Sequence, residues 1–325
     1  QRPFVWKATK VRDLLDSMYR GYPVGALMFW HRNGDESVST IGTDAKTQSV
    51  TYQIVDGQQR ITSLYSVMTG GAVYNDDYQE KTIRICFNPF AERFEVATPV
   101  FDSSVEWVSD VSHVFASALK SFKKFQHRYE EGNEPFDEDT ENRLLSTFIK
   151  LESLKKYVFQ VVELQVEVEK PVVADIFVRI NSEGVSLKSA DFILTWLSVF
   201  WDEGREQIED FARGSRMSAE LAAAFTGKQI TWTPQNHHLT VDSGQIVRVA
   251  VAVGQNRGKL PDAYNALRGH DRKTGLADAD KQARELAKLQ AALPLVLNRL
   301  NWDEFLRTLT KAGFRSRKMI TSANT

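Results

Sequence analysis

Gln53-Ile54-Val55-Asp56-Gly57-Gln58-Gln59-Arg60-Ile61-Thr62-Ser63-Leu64 is the stretch that decides how the chain is read. It opens as an apolar β-type run, turns on a glycine and continues with helical spacing. Ile61, Leu64, Tyr65 and Met68 fall at i, i+3, i+4 and i+7, which predicts the buried stripe of a helix. One carboxylate, two primary amides, a guanidinium and two hydroxyls crowd the junction between Asp56 and Ser63. A strand that passes through glycine into a helix presents N–H groups and a positive dipole end, which suits a phosphate or another anion. Arg60 adds a forked donor that matches phosphate oxygens. Asp56 is placed to hold a divalent cation or to orient a water. The alternative is a capped strand-to-helix turn, with Asp56 as N-cap and the amides solvated.

Upstream of that corner, Val11, Leu14, Leu15 and Met18 share one face of a helix that starts near Thr9 and stops at Arg20-Gly21-Tyr22-Pro23. Gly25 to Trp30 reads as a strand, and residues 31–49 as a polar turn region. Downstream, Gly70-Gly71 caps the organising helix. Thr82–Phe87 and Arg93–Ala97 read as a hairpin. A helical stretch follows from Val108 to Tyr129, then an acidic exposed loop over Glu130–Glu141 and a helix to Leu151. The run Tyr157–Leu164 is apolar enough to predict a buried central strand. Val172–Ile180 predicts a helix, and Leu187–Trp201 an amphipathic helix with a capped start at Ser186 or Ser189. Beyond it the clearest helical periodicity lies in Val241–Val253, Asp278–Leu297 and Trp302–Ala312. The expectation is an α+β chain: a mixed α/β domain over residues 1–204 and an all-α domain over residues 205–325.

The composition, 42% hydrophobic and 26% charged, is that of an ordinary globular protein and gives no bulk electrostatic argument for nucleic acid at a net charge of −1. The distribution is more informative. Residues 205–325 hold 19 Lys and Arg against 12 Asp and Glu, a surplus of 7, which leaves the first 204 residues at −8. A basic second half is compatible with a nucleic-acid face or with a solvated surface. The single cysteine, Cys86, excludes an intrachain disulfide framework and a cysteine-based zinc cluster, and its apolar run marks it as a buried thiol. No apolar stretch approaches the ~20 residues of a membrane span, and no signal peptide is visible. The expectation is a cytoplasmic protein, part of a longer gene product.

Two further clusters carry polar chemistry. One is the opening Gln1-Arg2 with Trp6 and Lys7. The other is Arg179-Ile180-Asn181-Ser182-Glu183-Gly184-Val185-Ser186-Leu187, followed by Asp191. Gly184 permits a left-handed turn between two helices, beside which Arg179 and Asn181 can present donors; a helix–loop–helix cap explains the same residues. His237-His238 lacks neighbouring acids and reads as a loop pair. Trp196, Phe200 and Trp201 fall at helical spacing and read as core. The basic tail Arg307, Lys311, Arg315, Arg317 and Lys318 reads as a connector. No Gly-x-x-x-x-Gly-Lys-[Ser/Thr] is present, so any nucleotide is held without a P-loop.

Val55-Asp56-Gly57-Gln58-Gln59-Arg60-Ile61-Thr62 resembles the signature of the N-terminal domain of GmrSD-type modification-dependent restriction enzymes. It is similar also to that of the phosphorothioate-sensing (SspE-like) DNA restriction effectors, both within the broad ParB-like fold group. The order of clusters adds to the resemblance. Gln1, Arg2 and Trp6 match the family's Tyr-Gln-Arg-x-x-x-Trp element, whose Tyr falls before residue 1. Asp56 to Arg60 match Asp-Gly-Gln-Gln-Arg in full. Asn181, Gly184, Leu187 and Asp191 match Asn-x-x-Gly-x-x-Leu followed by Asp, and Gly21 to Gly25 looks like the family's Gly-x-Pro-x-Gly step. Together these cover about the first 200 residues.

The resemblance implies a ParB-like first domain that binds and hydrolyses a nucleoside triphosphate (GTP, ATP or CTP) with Mg2+, and that senses modified DNA, phosphorothioate DNA in one branch. On that reading Asp56 holds the metal or the attacking water, Gln58 and Gln59 bond phosphate or ribose, and Arg60 neutralises charge on the transferred group. Gly57, Thr62 and Arg179 help bind the nucleotide, and Asn181 and Asp191 close the site. Gln1, Arg2, Trp6 and Lys7 lie near the DNA-sensing pocket, with Pro3, Phe4 and Trp6 as its apolar wall and Arg2 as donor. The family's C-terminal His-Asn-His-type nuclease domain is not visible, so nuclease activity is not expected of these residues; a homo-oligomer stays open. A non-hydrolysing module that clamps a DNA phosphate at the same turn is the competing class. A toxin–antitoxin or partition-type scaffold is the third.

Overall fold

The structure is a computed structural model. It describes residues 4–31, 38–39, 46–47, 52–75, 80–169, 172–173, 176–177, 179–180, 189–215, 241–270, 278–315 and 319. The chain divides into two compact units, Gln1–Glu167 and Val168–Thr325. That division lies upstream of residue 204, where the change from mixed to all-helical sequence placed it.

The first unit is α+β. Its strands are β1 (Leu27–His31), β2 (Val38–Ser39), β3 (Lys46–Thr47), β4 (Tyr52–Asp56), β5 (Val73–Tyr74), β6 (Glu80–Lys81), β7 (Ile85–Asn88), β8 (Arg93–Val96) and β9 (Val161–Leu164). Its helices are α1 (Ala8–Tyr19), α2 (Gln58–Thr69), α3 (Pro99–Ser103), α4 (Ser112–Ala116), α5 (Ala118–Glu130) and α6 (Glu138–Ser153). A three-stranded sheet runs in the order β4-β1-β9, β4 antiparallel and β9 parallel to the central β1. The remaining strands form two-stranded pairs, among them the expected hairpin β7-β8.

α1 forms where its spacing predicts, burying Val11, Leu14, Leu15, Met18 and Tyr19. It packs on β8, while α4, α5 and α6 pack on one another. The shared core holds Leu15, Ile85, Phe87, Phe122, Leu144, Phe148 and Leu151 at under 2% exposure. Each such side chain contributes about 1.5–3 kcal/mol relative to exposure. Ser117 divides the expected helix 108–129 in two: its hydroxyl accepts from Lys120 N–H and caps α5. The acidic segment does lead exposed into α6, whose N-cap is Asp137. Cys86 is fully buried, burial pushes its thiol up to about 11, and its Sγ–H donates to Ser109 O at 3.3 Å.

Two expectations are corrected. The run Tyr157–Leu164 is not a buried central strand. Only its second half is a strand, it lies at a sheet edge, and Val158, Val161 and Val162 are exposed. The central place goes to β1, flanked on both sides. The buried face of α2 also differs: Leu64 is buried, but Tyr65 is exposed and Ile61 and Met68 are half-buried. Thr62, Ser63, Ser66 and Val67 go inward with Leu64, because small side chains let α2 pack closely against α1 and α4. Two of those hydroxyls are satisfied locally, Ser63 Oγ on Gln59 O and Ser66 Oγ on Gly71 O, both at 2.7 Å.

The described part of the second unit is helical: α7 (Ser189–Phe200), α8 (Asp202–Gly214), α9 (Ser243–Gln255), α10 (Leu260–Leu267), α11 (Ala279–Val296) and α12 (Arg299–Lys311). The described residues between 172 and 180 are helical as well. Ile193, Trp196 and Leu197 of α7 are buried, as are Ile246, Val247, Ala250 and Val251 of α9 and Leu289 and Leu293 of α11. Trp196 stacks on Phe200 at 4.5 Å, the core role its spacing predicted. Asp242 and Gln245 form a reciprocal capping box at the start of α9. Among the described residues no helix is long and apolar enough to cross a membrane.

Candidate functional site

Asp56 ends β4, Gly57 turns the chain, and α2 begins at Gln58. Gly57 sits at φ 98°, in the left-handed region, and a Cβ there would lie 2.4 Å from Leu27 Cδ2. Only glycine makes this turn without strain and lets the corner close on β1. Among the described residues no side chain caps α2. The N-cap is therefore Gly57, not Asp56, and the first-turn N–H groups have no acceptor within the helix.

Its guanidinium faces inward. Arg60 Nη2 donates to Asp56 Oδ2 at 2.7 Å, and Arg60 Nη1 donates to the Val24 carbonyl at 3.0 Å. The arginine side chain is only 13% exposed and the aspartate 31%. Arg60 thus ties three segments together: the end of β4, the start of α2 and the Gly21–Gly25 step. Gly25 has φ 83°, and a Cβ there would meet Arg60 Nη1 at 2.6 Å, so this glycine leaves room for the guanidinium. Asp56 Oδ2 is engaged; Oδ1 makes no hydrogen bond among the described residues. Thr62 is 4% exposed, and its hydroxyl has no hydrogen-bond partner among the described residues.

The N-terminal segment is brought to the same corner. Val5 N–H donates to Gln59 Oε1 at 2.9 Å, and Phe4 N–H donates to Tyr74 O at 2.8 Å. Lys7 is exposed at the entrance to α1; Trp6 is half-buried against the core with Lys10 Nζ 4.4 Å from its ring centre. Phe4 is a core residue, 5% exposed, so it forms no open apolar wall. Gln1, Arg2 and Pro3 lie outside the described residues.

Arg179 is exposed, Asp191 is half-buried in the first turn of α7, and both belong to the second unit. Asn181 and the Gly184 turn lie outside the described residues, as do His237, His238, Arg317 and Lys318. Among the described residues no three His, Cys, Asp or Glu side chains are grouped to hold a metal. The partners that motif reading missed are backbone atoms: the Val24 carbonyl and the Val5 N–H. The Gly-x-Pro-x-Gly spacing was the only sequence signal for the first.

Fold and corner together define a mixed α/β domain organised around a glycine-turned, uncapped helix start with a braced carboxylate. The chain belongs to the family of the GmrSD restriction endonuclease, N-terminal domain, whose model matches residues 1–198. It is a restriction-system protein. No curated protein matches it.

Proposed function

We propose that this chain is the nucleotide-hydrolysing, modified-DNA-sensing part of an anti-phage restriction effector, with Asp56 at the hydrolytic centre. The observation that carries the reading is the Asp56 carboxylate, fixed through Oδ2 by Arg60 and, among the described residues, unengaged at Oδ1, beside a helix start that no described side chain caps. A triphosphate suits the helix end, and Oδ1 is left to orient a water or accept its proton. Arg60 acts as a positioning residue, since its two donors serve Asp56 and Val24.

The donor set fits Mg2+. That ion is commonly held by one or two carboxylates together with substrate phosphates, and Asp56 supplies one such carboxylate. Bound with nucleotide, the ion would neutralise phosphate charge. The Val5–Gln59 bond supports coupling between DNA sensing and hydrolysis, because it links the opening segment to the second amide of the motif.

The test is nucleotide turnover by the full chain with GTP, ATP and CTP, with and without phosphorothioate DNA. Asp56→Ala is expected to remove turnover while the fold, read by circular dichroism, persists. Turnover at the parent rate in Asp56→Ala would sink the enzymatic reading. The non-hydrolysing DNA clamp is less well supported, because the guanidinium that would grip a DNA phosphate is already engaged.

A further inference from the structure

We propose a second site in the first unit: an open cavity of about 320 Å3 lined by Asn88, Phe90, Ala91, Glu106 and Tyr129, which binds an organic cation, an alkylammonium or guanidinium group. None of these residues belongs to the Asp56–Arg60 corner. They come from the end of β7 and the turn after it, the turn at 104–107, and α5.

The lining decides the ligand. It contains two aromatic rings and one carboxylate, and no lysine or arginine. Phe90 and Tyr129 lie with centroids 5.3 Å apart and planes at 47°, two rings that meet at an angle rather than as a parallel slot. An aromatic face carries the negative side of the ring quadrupole and attracts cations. The angle and the contact between the rings leave no gap for a flat base to slide between. Glu106 is exposed and makes no hydrogen bond or ion pair among the described residues. It is an exposed carboxylate at the edge of that aromatic corner.

The walls are held before any ligand arrives. Asn88 Oδ1 accepts from Phe90 N–H and Ala91 N–H, both at 3.0 Å, fixing the turn that carries Phe90. Phe136 stacks behind Tyr129 at 4.8 Å. Arg128 Nη2 donates to the carbonyls of Ser104 and Trp107, so the guanidinium grips the turn on both sides of Glu106. That guanidinium is held through Nη2 by backbone oxygens and is not among the lining residues. A cavity this size holds far more than a water and accommodates a butylammonium or propylguanidinium group.

Lysine or arginine side chains of a protein segment and free polyamines share this chemistry. The full chain is titrated, by calorimetry and by amide-shift mapping, with tetramethylammonium, spermidine and Nα-acetyl-arginine methylamide, and with neutral neopentyl alcohol as control. Expected are saturable shifts at Ala91, Glu106 and Tyr129 for the cations and none for the alcohol. Glu106→Gln, at an exposed position that leaves the fold intact, weakens cation binding by about tenfold. Tyr129→Phe keeps binding within about twofold, because the ring face is retained. Preference for spermidine assigns the site to free polyamines and preference for the arginine derivative to a protein segment; either supports it. Absence of saturable shifts with all three cations overturns the proposal, as does binding that Glu106→Gln leaves unchanged.

Discussion

Arg60 reaches back one helical turn to Asp56, Nη2 to Oδ2 at 2.7 Å, while its other terminal nitrogen holds the Val24 carbonyl. One side chain thus bridges a strand end, a helix start and a loop. Lysine cannot replace it, since a single ammonium lacks the fork that serves two acceptors in fixed directions. Arg60→Lys is therefore expected to lose at least tenfold in nucleotide turnover with a stability change of about 1 kcal/mol or less. A double-mutant cycle of Arg60→Gln with Asp56→Asn, read by urea unfolding, is expected to give a coupling of about 1 kcal/mol. A coupling near zero would remove the brace from the account.

Gly57 and Gly25 are expected to respond differently to alanine. Gly57→Ala meets both the left-handed penalty, about 1–2 kcal/mol, and a clash 2.4 Å from Leu27 Cδ2 in the buried interior. Overpacking adds about 1–3 kcal/mol. Gly25→Ala meets the same backbone penalty, but its close neighbour at 2.6 Å is the end of the Arg60 side chain, which can move. Chemical unfolding should rank Gly57→Ala as the more destabilised. Gly25→Ala should instead show its effect on turnover, through displacement of Arg60.

Much of this was legible in the sequence. The β4–Gly57–α2 corner followed from an apolar run, a glycine and helical spacing, and α1 from four apolar positions on one face. What was not legible has physical reasons. Counting apolar residues on α2 selected Ile61, Leu64, Tyr65 and Met68, yet Ser63 and Ser66 are fully buried, because a serine bonded to a nearby carbonyl carries little polarity inward. The apolar run before Leu164 looked central, but burial of a strand depends on what flanks its sheet, and among the described residues β9 has a partner on one side only. At the corner, the motif named the right side chains and not their partners. Whether Arg60 faces an anion or Val24 O depends on a backbone carbonyl 36 residues away, which no residue identity encodes.

Acid should weaken the packing of α1 and α6 around the β7-β8 hairpin. Glu92 accepts hydrogen bonds from Lys150 Nζ at 2.8 Å and Tyr19 Oη at 2.7 Å, and these hold its carboxyl below the ordinary 4.5. Burial pushes the Glu95 carboxyl up, but hydrogen bonds from Arg93 and Arg12 outweigh it and leave that group low as well. A carboxyl whose folded value is depressed contributes stability above its unfolded value and loses it as pH falls through the folded one. Both contributions are therefore complete above about 4.5 and fade below it. Glu92 is half-exposed, so solvent screening keeps its share small. Urea midpoints measured from neutrality into this acid range should fall less steeply for Glu92→Gln and Glu95→Gln than for the parent chain. Parallel slopes would show that neither pairing survives in solution.

The capping box at Asp242 offers a check confined to the helical unit. Asp242 Oδ1 accepts from Gln245 N–H at 2.7 Å, and the Gln245 amide oxygen returns to Asp242 N–H at 3.4 Å. The first contact is short and the second long, so the carboxylate carries most of the cap. Asp242→Ala is expected to cost about 1 kcal/mol, and Gln245→Ala only a few tenths by the same reasoning. Equal losses in thermal unfolding would place the stabilisation elsewhere in α9.

The bond from Val5 N–H to Gln59 Oε1 makes the opening segment depend on the motif, and backbone exchange can isolate it. Val5 is partly exposed, so its amide has solvent to turn to once the acceptor is gone. Gln59→Leu removes that acceptor and should release Val5 N–H to exchange. Gln59→Glu retains an oxygen in reach and strengthens the bond by its charge, so protection should persist. Phe4 N–H is the internal control: it is held by Tyr74 O at 2.8 Å, a contact independent of Gln59. If DNA sensing reaches the nucleotide through this bond, Gln59→Leu should also lose stimulation by phosphorothioate DNA, read as the ratio of turnover with and without that DNA. Stimulation that survives in Gln59→Leu, with Val5 exchange released, would separate the tether from the signal.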